Sequence, residues 1–429
     1  MQTQKLCDGV DLRAIDGQKF KTNLISLFFN IPLKRETITK AALLPAVLKR
    51  GSKNFPRFTD MAKHLEEMYN AVCSTGVRMK GDGEVLYFSV EYISDRYIGE
   101  NLTCDIVSFL KEFVFSPLIE AGGFKAEYVE SEKENLRNAI LSLINDKKEY
   151  ADVKCRELMF GNQGYGMFEA GYVEDLDSIT PENLYAFYLD VIHNAKADVF
   201  VSGHVESQIL ETVRDVLGGC LTPRKAEYVQ TAVAEAEAEA KAKEIRLVTE
   251  EIDVVQSKIS MGLRCGIVPT SAEYYALMLG SCIFGGSPFS KLFNNVREKL
   301  SLAYYAVART ERFKSVMMIS SGIETKNYQA AYDEIMVQFE KMRKGEFDEA
   351  EIEAAKKYLT TGLCSIKDSL RSMEDYYMSQ AIMGEDQSVD ALLAEILKVE
   401  KQQIVHVMQK VTFDTVFFLK GKDAEGGLD

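Results

Sequence analysis

The chain has 429 residues, 46% of them hydrophobic and 27% charged, and its 51 Lys and Arg against 65 Asp and Glu leave a formal net charge of −14. This balance supplies core material for two or three domains and excludes disordered, collagen-like and miniature scaffolds. The acidity argues against a nucleic-acid-coating or anionic-membrane role.

Residues 1–17 carry no basic-then-apolar signal pattern, and no run of about 18 apolar residues follows anywhere, so the sequence predicts a cytoplasmic chain with no membrane partner and no nucleic-acid partner. A strand-like run covers Lys21 to Leu33, a helical stretch continues through Leu48, and a second helix runs from Thr59 to Ala71. After the Gly81-Asp82-Gly83 turn, residues 84–93 alternate as a half-buried antiparallel strand should. A long charged helix spans Phe124 to Leu143, Thr180-Pro181 starts another, and Ala197 to Val205 reads as a closing strand. From Leu221 to Glu251 the chain is polar and Ala/Glu-rich with no apolar stripe, which predicts a linker that is either a solvated helix or an extended tether.

Beyond it the same order returns. Gln256 to Val268 is strand-like, the stretch SAEYYALMLGSCIF is helical, strands lie around 302–322, a charged helix spans Phe347 to Ile366, and Asp414 to Lys422 closes the half. Such internal repetition predicts a duplicated chain: residues 1–220 and 252–429 as two similar α+β domains, joined by residues 221–251. Each is expected to be a mostly antiparallel sheet with helices packed on one face.

Candidate chemistry is sparse. His64 and Glu67 share a helix face, but the place where a second imidazole would complete a zinc site holds Met68. His193, His204 and His406 are isolated, and eight scattered cysteines without a Cys-x-x-Cys read as reduced, mostly buried thiols. Phe284-Gly285-Gly286-Ser287-Pro288 lacks the spacing of a phosphate loop and reads as a tight helix–helix turn. Arg297 and Tyr304 straddle a helix end and a strand start, where a guanidinium and a phenol can serve a peptide carbonyl or an oxyanion. From spacing alone, an Arg packing over an aromatic is the preferred reading.

Four stretches together carry a family resemblance: FGGSPFSKLFNNVREKLSLAYYAVA in the second half, FKAEYVESEKENLRNAILSLINDKKEYA and FGNQGYGMFEAGYVEDLDSITPENLYAFY in the first, and the strand ending VSGHVE. From about Lys21 to Lys422 the chain resembles one subunit of the insulinase/pitrilysin superfamily of zinc peptidases, close to bacterial two-domain subunits that are similar to mitochondrial processing peptidase. Active members carry His-x-x-Glu-His before a basic-Gly-small turn, which here is Lys49-Arg50-Gly51-Ser52. The resemblance therefore places the two ligand positions at Ala42 and Ala46, the general base at Pro45, the third ligand at Ala139 and its supporting acid at Glu132.

It implies a degenerate site with no metal and no cofactor of its own. The isolated chain is then not an enzyme, since without a metal there is no activated water and no Lewis acid. Arg297 and Tyr304 match the substrate-binding Arg and Tyr of second-half domains, and the resemblance makes that the preferred reading. The implied role is a non-catalytic subunit of a heteromeric metallopeptidase, lending Arg297, Tyr304 and half of a substrate chamber to a zinc-bearing sister chain that acts on a peptide or protein. The alternative is a purely structural or peptide-binding subunit. Alone, the chain is expected to be open to homodimerisation. A bacterial branch with this pattern is associated with modification of translation elongation factor P, and this chain resembles it.

Overall fold

The structure, a computed structural model, describes residues 1–161, 164–229 and 244–421. Two compact units emerge: the first holds the described parts of Met1–Leu141, Met167–Gln230 and Lys367–Asp386, and the second those of Ser142–Gly166, Thr231–Ile366 and Gln387–Asp429. Each unit thus takes one segment from the opposite half of the sequence.

The first sheet contains β1 (Gln2–Cys7), β2 (Val10–Asp16), β3 (Thr22–Pro32), β4 (Val72–Lys80), β5 (Gly83–Ile93) and β6 (Lys196–Gly203). Their order is β1-β2-β6-β3-β5-β4, and only β2 and β6 run parallel. The second sheet contains β7 (Arg246–Ile252), β8 (Ser257–Arg264), β9 (Ala303–Glu311), β10 (Val316–Ile323) and β11 (Thr412–Gly421). It is ordered β9-β10-β8-β11-β7, again with one parallel pair, β11 and β7. Read from β4 and from β9, the two sheets have one topology, apart from the extra outer strand β1. The duplication expected from the sequence is therefore present in strand order and direction.

One face of the first sheet is apolar because period-2 alternation puts Ile25, Leu27 and Phe29 beside Leu86, Phe88 and Val90. That face is covered by helices α1 (Ile38–Leu48), α3 (Leu102–Phe115), α6 (Pro181–Asn194) and α7 (Ser207–Leu217), which contribute Leu44, Val47, Phe109, Phe113, Leu184 and Val213. Between them in sequence lie α2 (Phe58–Glu67), α4 (Ala126–Ser142) and α5 (Lys147–Phe160). The start of α6 is fixed as its sequence suggests, with Thr180 Oγ1 accepting from the Asn183 amide at 3.2 Å. In the second unit α8 (Glu273–Ser281), α9 (Tyr328–Lys344), α10 (Glu349–Ile366), α12 (Val389–Leu397) and α13 (Lys401–Lys410) assemble, with α8 packing on α13 and α10 on α12. The remaining helix is α11 (Leu370–Ile382).

The opposite face of each sheet carries buried polar groups and takes the exchanged helix, and on the second sheet Ala151, Cys155 and Met159 of that helix also pack on Val316, Phe417 and Leu419. On the first sheet Ser26 and Ser202 donate to Glu374 of α11 at 2.6 and 2.7 Å. Arg78 and Lys80 of β4 pair with Asp375 at 2.8 and 2.9 Å. On the second, Ser260 and Ser320 donate to Asp152 of α5, each at 2.7 Å. The Met159 side chain of α5 fills the space over Gly262, where a Cβ would sit 1.9 Å from its sulfur and force that side chain to move. Burial pushes the Glu374 carboxyl up to about 8 and raises that of Asp152, against the pull of the serine hydroxyls.

The segment read as a tether, residues 221–251, needs correction at both ends. Its last part enters the second sheet as β7, an edge strand whose burial alternates through Val248, Glu250 and Ile252. Its first part lies along the first sheet, where the Tyr228 hydroxyl donates to Asp198 at 2.7 Å and Asn30 Oδ1 accepts from the Val229 amide at 3.0 Å. Residues 230–243 and Lys422 lie outside the described residues.

Candidate functional site

The positions to which the family resemblance assigns zinc ligands and base lie on α1. Ala42 and Ala46 are one turn apart on its half-exposed side, while Leu43, Leu44 and Val47 anchor it in the core. Pro45 is buried inside the helix and, lacking an N–H, cannot bond back to the Ala41 carbonyl. Two methyl groups and a pyrrolidine ring offer a metal no lone pair, and among the described residues no three His, Cys, Asp or Glu side chains converge on a common point. The residues present do not fit zinc.

The acid that meets the end of α1 is Glu132. It forms an ion pair with Arg50 Nε, while Arg50 Nη2 donates to Ser131 Oγ at 2.9 Å and Asn135 Nδ2 to Glu132 Oε2 at 3.1 Å. Ala139 lies two turns further along α4, exposed. A carboxylate beside α1 is thus engaged by the protein's own cation. His64 on α2 stacks on Phe55 at 4.7 Å between ring centroids, with Nδ1 3.8 Å from Glu67. Its ring is a packing element beside a solvated acid, not a metal centre.

Arg297 and Tyr304 come together in the second unit. Arg297 lies in the last turn of a π-helix, Leu292–Lys299, and the chain then reverses through Ser301 at φ 50°. The Leu302 amide then donates to the Val296 carbonyl at 2.9 Å before β9 begins. The Arg297 guanidinium lies 4.7 Å over Phe293, and its Nε is 3.5 Å from Glu298. The stacking partner is therefore Phe293, one turn back, and Tyr304 is left 59% exposed on edge strand β9. Both side chains line one open pocket of about 380 Å³ with Glu298, Ser301, Glu324 and Asn327. A guanidinium and a phenol that share a solvent-filled pocket can bind a carbonyl or carboxylate and donate to a developing oxyanion.

A second pocket, of about 290 Å³ and mainly apolar, lies beside β4, between Phe58, Met61, Leu65, Ala71 and Val72. The outer edge of β4 makes no backbone hydrogen bond among the described residues. This strand is not legible in the sequence, because VCSTGVRMK lacks alternation.

Comparison with known proteins adds to this geometry. The family described as "Peptidase M16 inactive domain" matches residues 178–359. The probable inactive metalloprotease YmfF of Bacillus subtilis (strain 168) is 33% identical over 419 residues, covering 97% of this chain and 96% of that protein. From the same organism, the uncharacterized zinc protease YmxG is 20% identical over 288 residues, 66% of this chain and 68% of its own length. Among solved structures, a conserved protein from Enterococcus faecalis V583 matches with a TM-score of 0.89 and 30% identity, covering 99% of both chains.

Proposed function

Because this chain belongs to the M16 metallopeptidase family as an inactive member, we propose that it is the non-catalytic subunit of a two-chain peptidase. In this reading it supplies Arg297, Tyr304 and part of a substrate chamber to a zinc-bearing sister. The observation that carries the proposal is the shared pocket of Arg297 and Tyr304, open to solvent in a chain whose metal positions are Ala42, Pro45 and Ala46. A purely architectural subunit has no need to keep a phenol exposed beside a guanidinium. Bacillus subtilis (strain 168) holds both a relative named a probable inactive metalloprotease and one named a zinc protease, so the two kinds of chain occur in one organism.

Within the chamber Arg297 would bind a substrate carbonyl or carboxylate, and Tyr304 would donate to the oxyanion as it forms. The metal and its activated water would belong wholly to the sister. The test is reconstitution with a zinc-bearing M16 chain from the same genome, followed by peptide hydrolysis. Activity that needs both chains supports the proposal, and full activity of the sister alone refutes it.

A second reading, a peptide-binding subunit with no part in proteolysis, is favoured by β4. A free strand edge next to an apolar groove is suited to adding an extended peptide as a further strand. Under that reading a peptide binds while hydrolysis by any sister stays unchanged.

A further inference from the structure

On the polar face of the second sheet one row of residues crosses three strands: Lys258 of β8 stands opposite Gly322 of β10, which stands opposite Tyr305 of β9. A Cβ on Gly322 would lie 2.5 Å from Cε1 of Tyr305, so the missing side chain is what lets the ring lean across β10. Two ammonium groups flank that ring, Lys258 Nζ at 5.5 Å from its centroid and Lys148 Nζ, from the first turn of α5, at 5.2 Å.

Lys258 is only 8% exposed, and its ammonium donates to Gln256 Oε1. Neither lysine has a carboxylate within ion-pair distance among the described residues. The Tyr305 hydroxyl is buried with no hydrogen-bond partner. The nearest acids are already engaged: Asp146 accepts the amides of Lys148 and Glu149 at 3.1 and 3.0 Å, and Asp152 holds Ser260 and Ser320. Burial, with the like charge of Lys148, pushes the Lys258 ammonium below its ordinary range against the opposing pull of Asp146. Like charges around one ring, together with an unused buried donor, are costly unless an acceptor joins them.

We propose that Lys148, Lys258 and Tyr305 form a binding site for an oxyanion, a carboxylate or a phosphate group. One oxygen would take the two ammonium groups and another the phenolic hydroxyl. The site is distinct from the Arg297 and Tyr304 pocket, none of whose lining residues it uses, and it does not depend on a sister chain.

Thermal unfolding of the full chain at constant pH and ionic strength tests the assignment, with inorganic phosphate or a blocked tri-glutamate peptide replacing chloride. A saturable rise in Tm is expected with at least one probe, phosphate alone marking a phosphate site and the peptide alone a carboxylate site. Lys258→Met, which removes the buried charge and keeps the stem, should match or exceed the wild-type Tm in chloride and lose the response. Tyr305→Phe should weaken the apparent affinity about fivefold, the equivalent of one hydrogen bond. If Lys258→Met does not fold, Lys148→Met provides the same loss of response. No rise with either probe, or an equal rise in wild type and variant, overturns the proposal.

Discussion

Asp152 and Glu374 are counterparts: each sits on a helix exchanged from the other half of the sequence and accepts hydrogen bonds from a serine of a central strand and a serine of the neighbouring strand. The strand serines even share a local context, Ile25-Ser26 in the first unit and Ile259-Ser260 in the second. A buried acid satisfied by hydroxyls fixes the position of a helix on a polar sheet face, where apolar packing alone would leave it free to slide.

The first prediction follows from Glu374. Its carboxyl is raised from an ordinary 4.5 to about 8 by burial, so the folded chain holds this proton more tightly than the unfolded one. The stability from this linkage is complete below about pH 4.5 and is lost as pH rises through about 8. Glu374→Gln, which cannot ionise, should gain on the wild type by on the order of 2–4 kcal/mol between pH 5 and pH 9. Urea denaturation of both proteins at the two pH values measures this, and parallel pH profiles would contradict it.

Much of this architecture is legible in the sequence, and what is not has a physical cause. The apolar runs around Ile25 and Ile259, the cap at Thr180 and the closing strands are readable because they face the core. The exchanged helices are not: in KKEYADVKCRELMF the buried stripe is only Ala151, Cys155 and Met159, interrupted by charged residues, and the polar anchor is Asp152. β4 is half-buried along almost its whole length and β7 places Glu250 at a half-buried position, so neither edge strand alternates in hydrophobicity. At the degenerate site the resemblance marks Ala42, Pro45, Ala46 and Glu132, but the ion pair that Glu132 makes with Arg50, 82 residues away, has no signal in the sequence.

A second prediction concerns that ion pair. The Glu132 side chain is 12% exposed, so Arg50→Met strands a partly buried carboxylate and should cost about 1–3 kcal/mol. Adding Glu132→Gln should recover part of the loss. A double-mutant cycle by chemical denaturation reads the coupling, and strictly additive effects would show that the pair does no structural work.

A third prediction is that protein purified without added metal carries no stoichiometric zinc. Ala42, Pro45 and Ala46 offer no donor, and His64 stacks on Phe55. Elemental analysis decides it. One zinc per chain that disappears with His64→Ala would return His64 and Glu67 to the position of a metal site.

The last prediction separates Arg297 from Tyr304 in the reconstituted two-chain enzyme. Tyr304 is an exposed phenol on an edge strand, so removing its hydroxyl disturbs no core, and Tyr304→Phe should fold and assemble as wild type does. If that hydroxyl donates to the oxyanion, its loss acts on the transition state and lowers kcat about 10²–10³-fold with KM nearly unchanged. Arg297 rests on Phe293 and pairs loosely with Glu298, which leaves most of its donors for a substrate. Arg297→Ala should therefore raise KM as well as lower kcat, and Arg297→Lys, which keeps charge but loses the planar fork, should recover only part. Steady-state kinetics on one peptide, with assembly checked by gel filtration, distinguishes the two patterns. Normal turnover by both variants in an intact complex would leave the pair an architectural feature and favour the peptide-binding reading centred on β4.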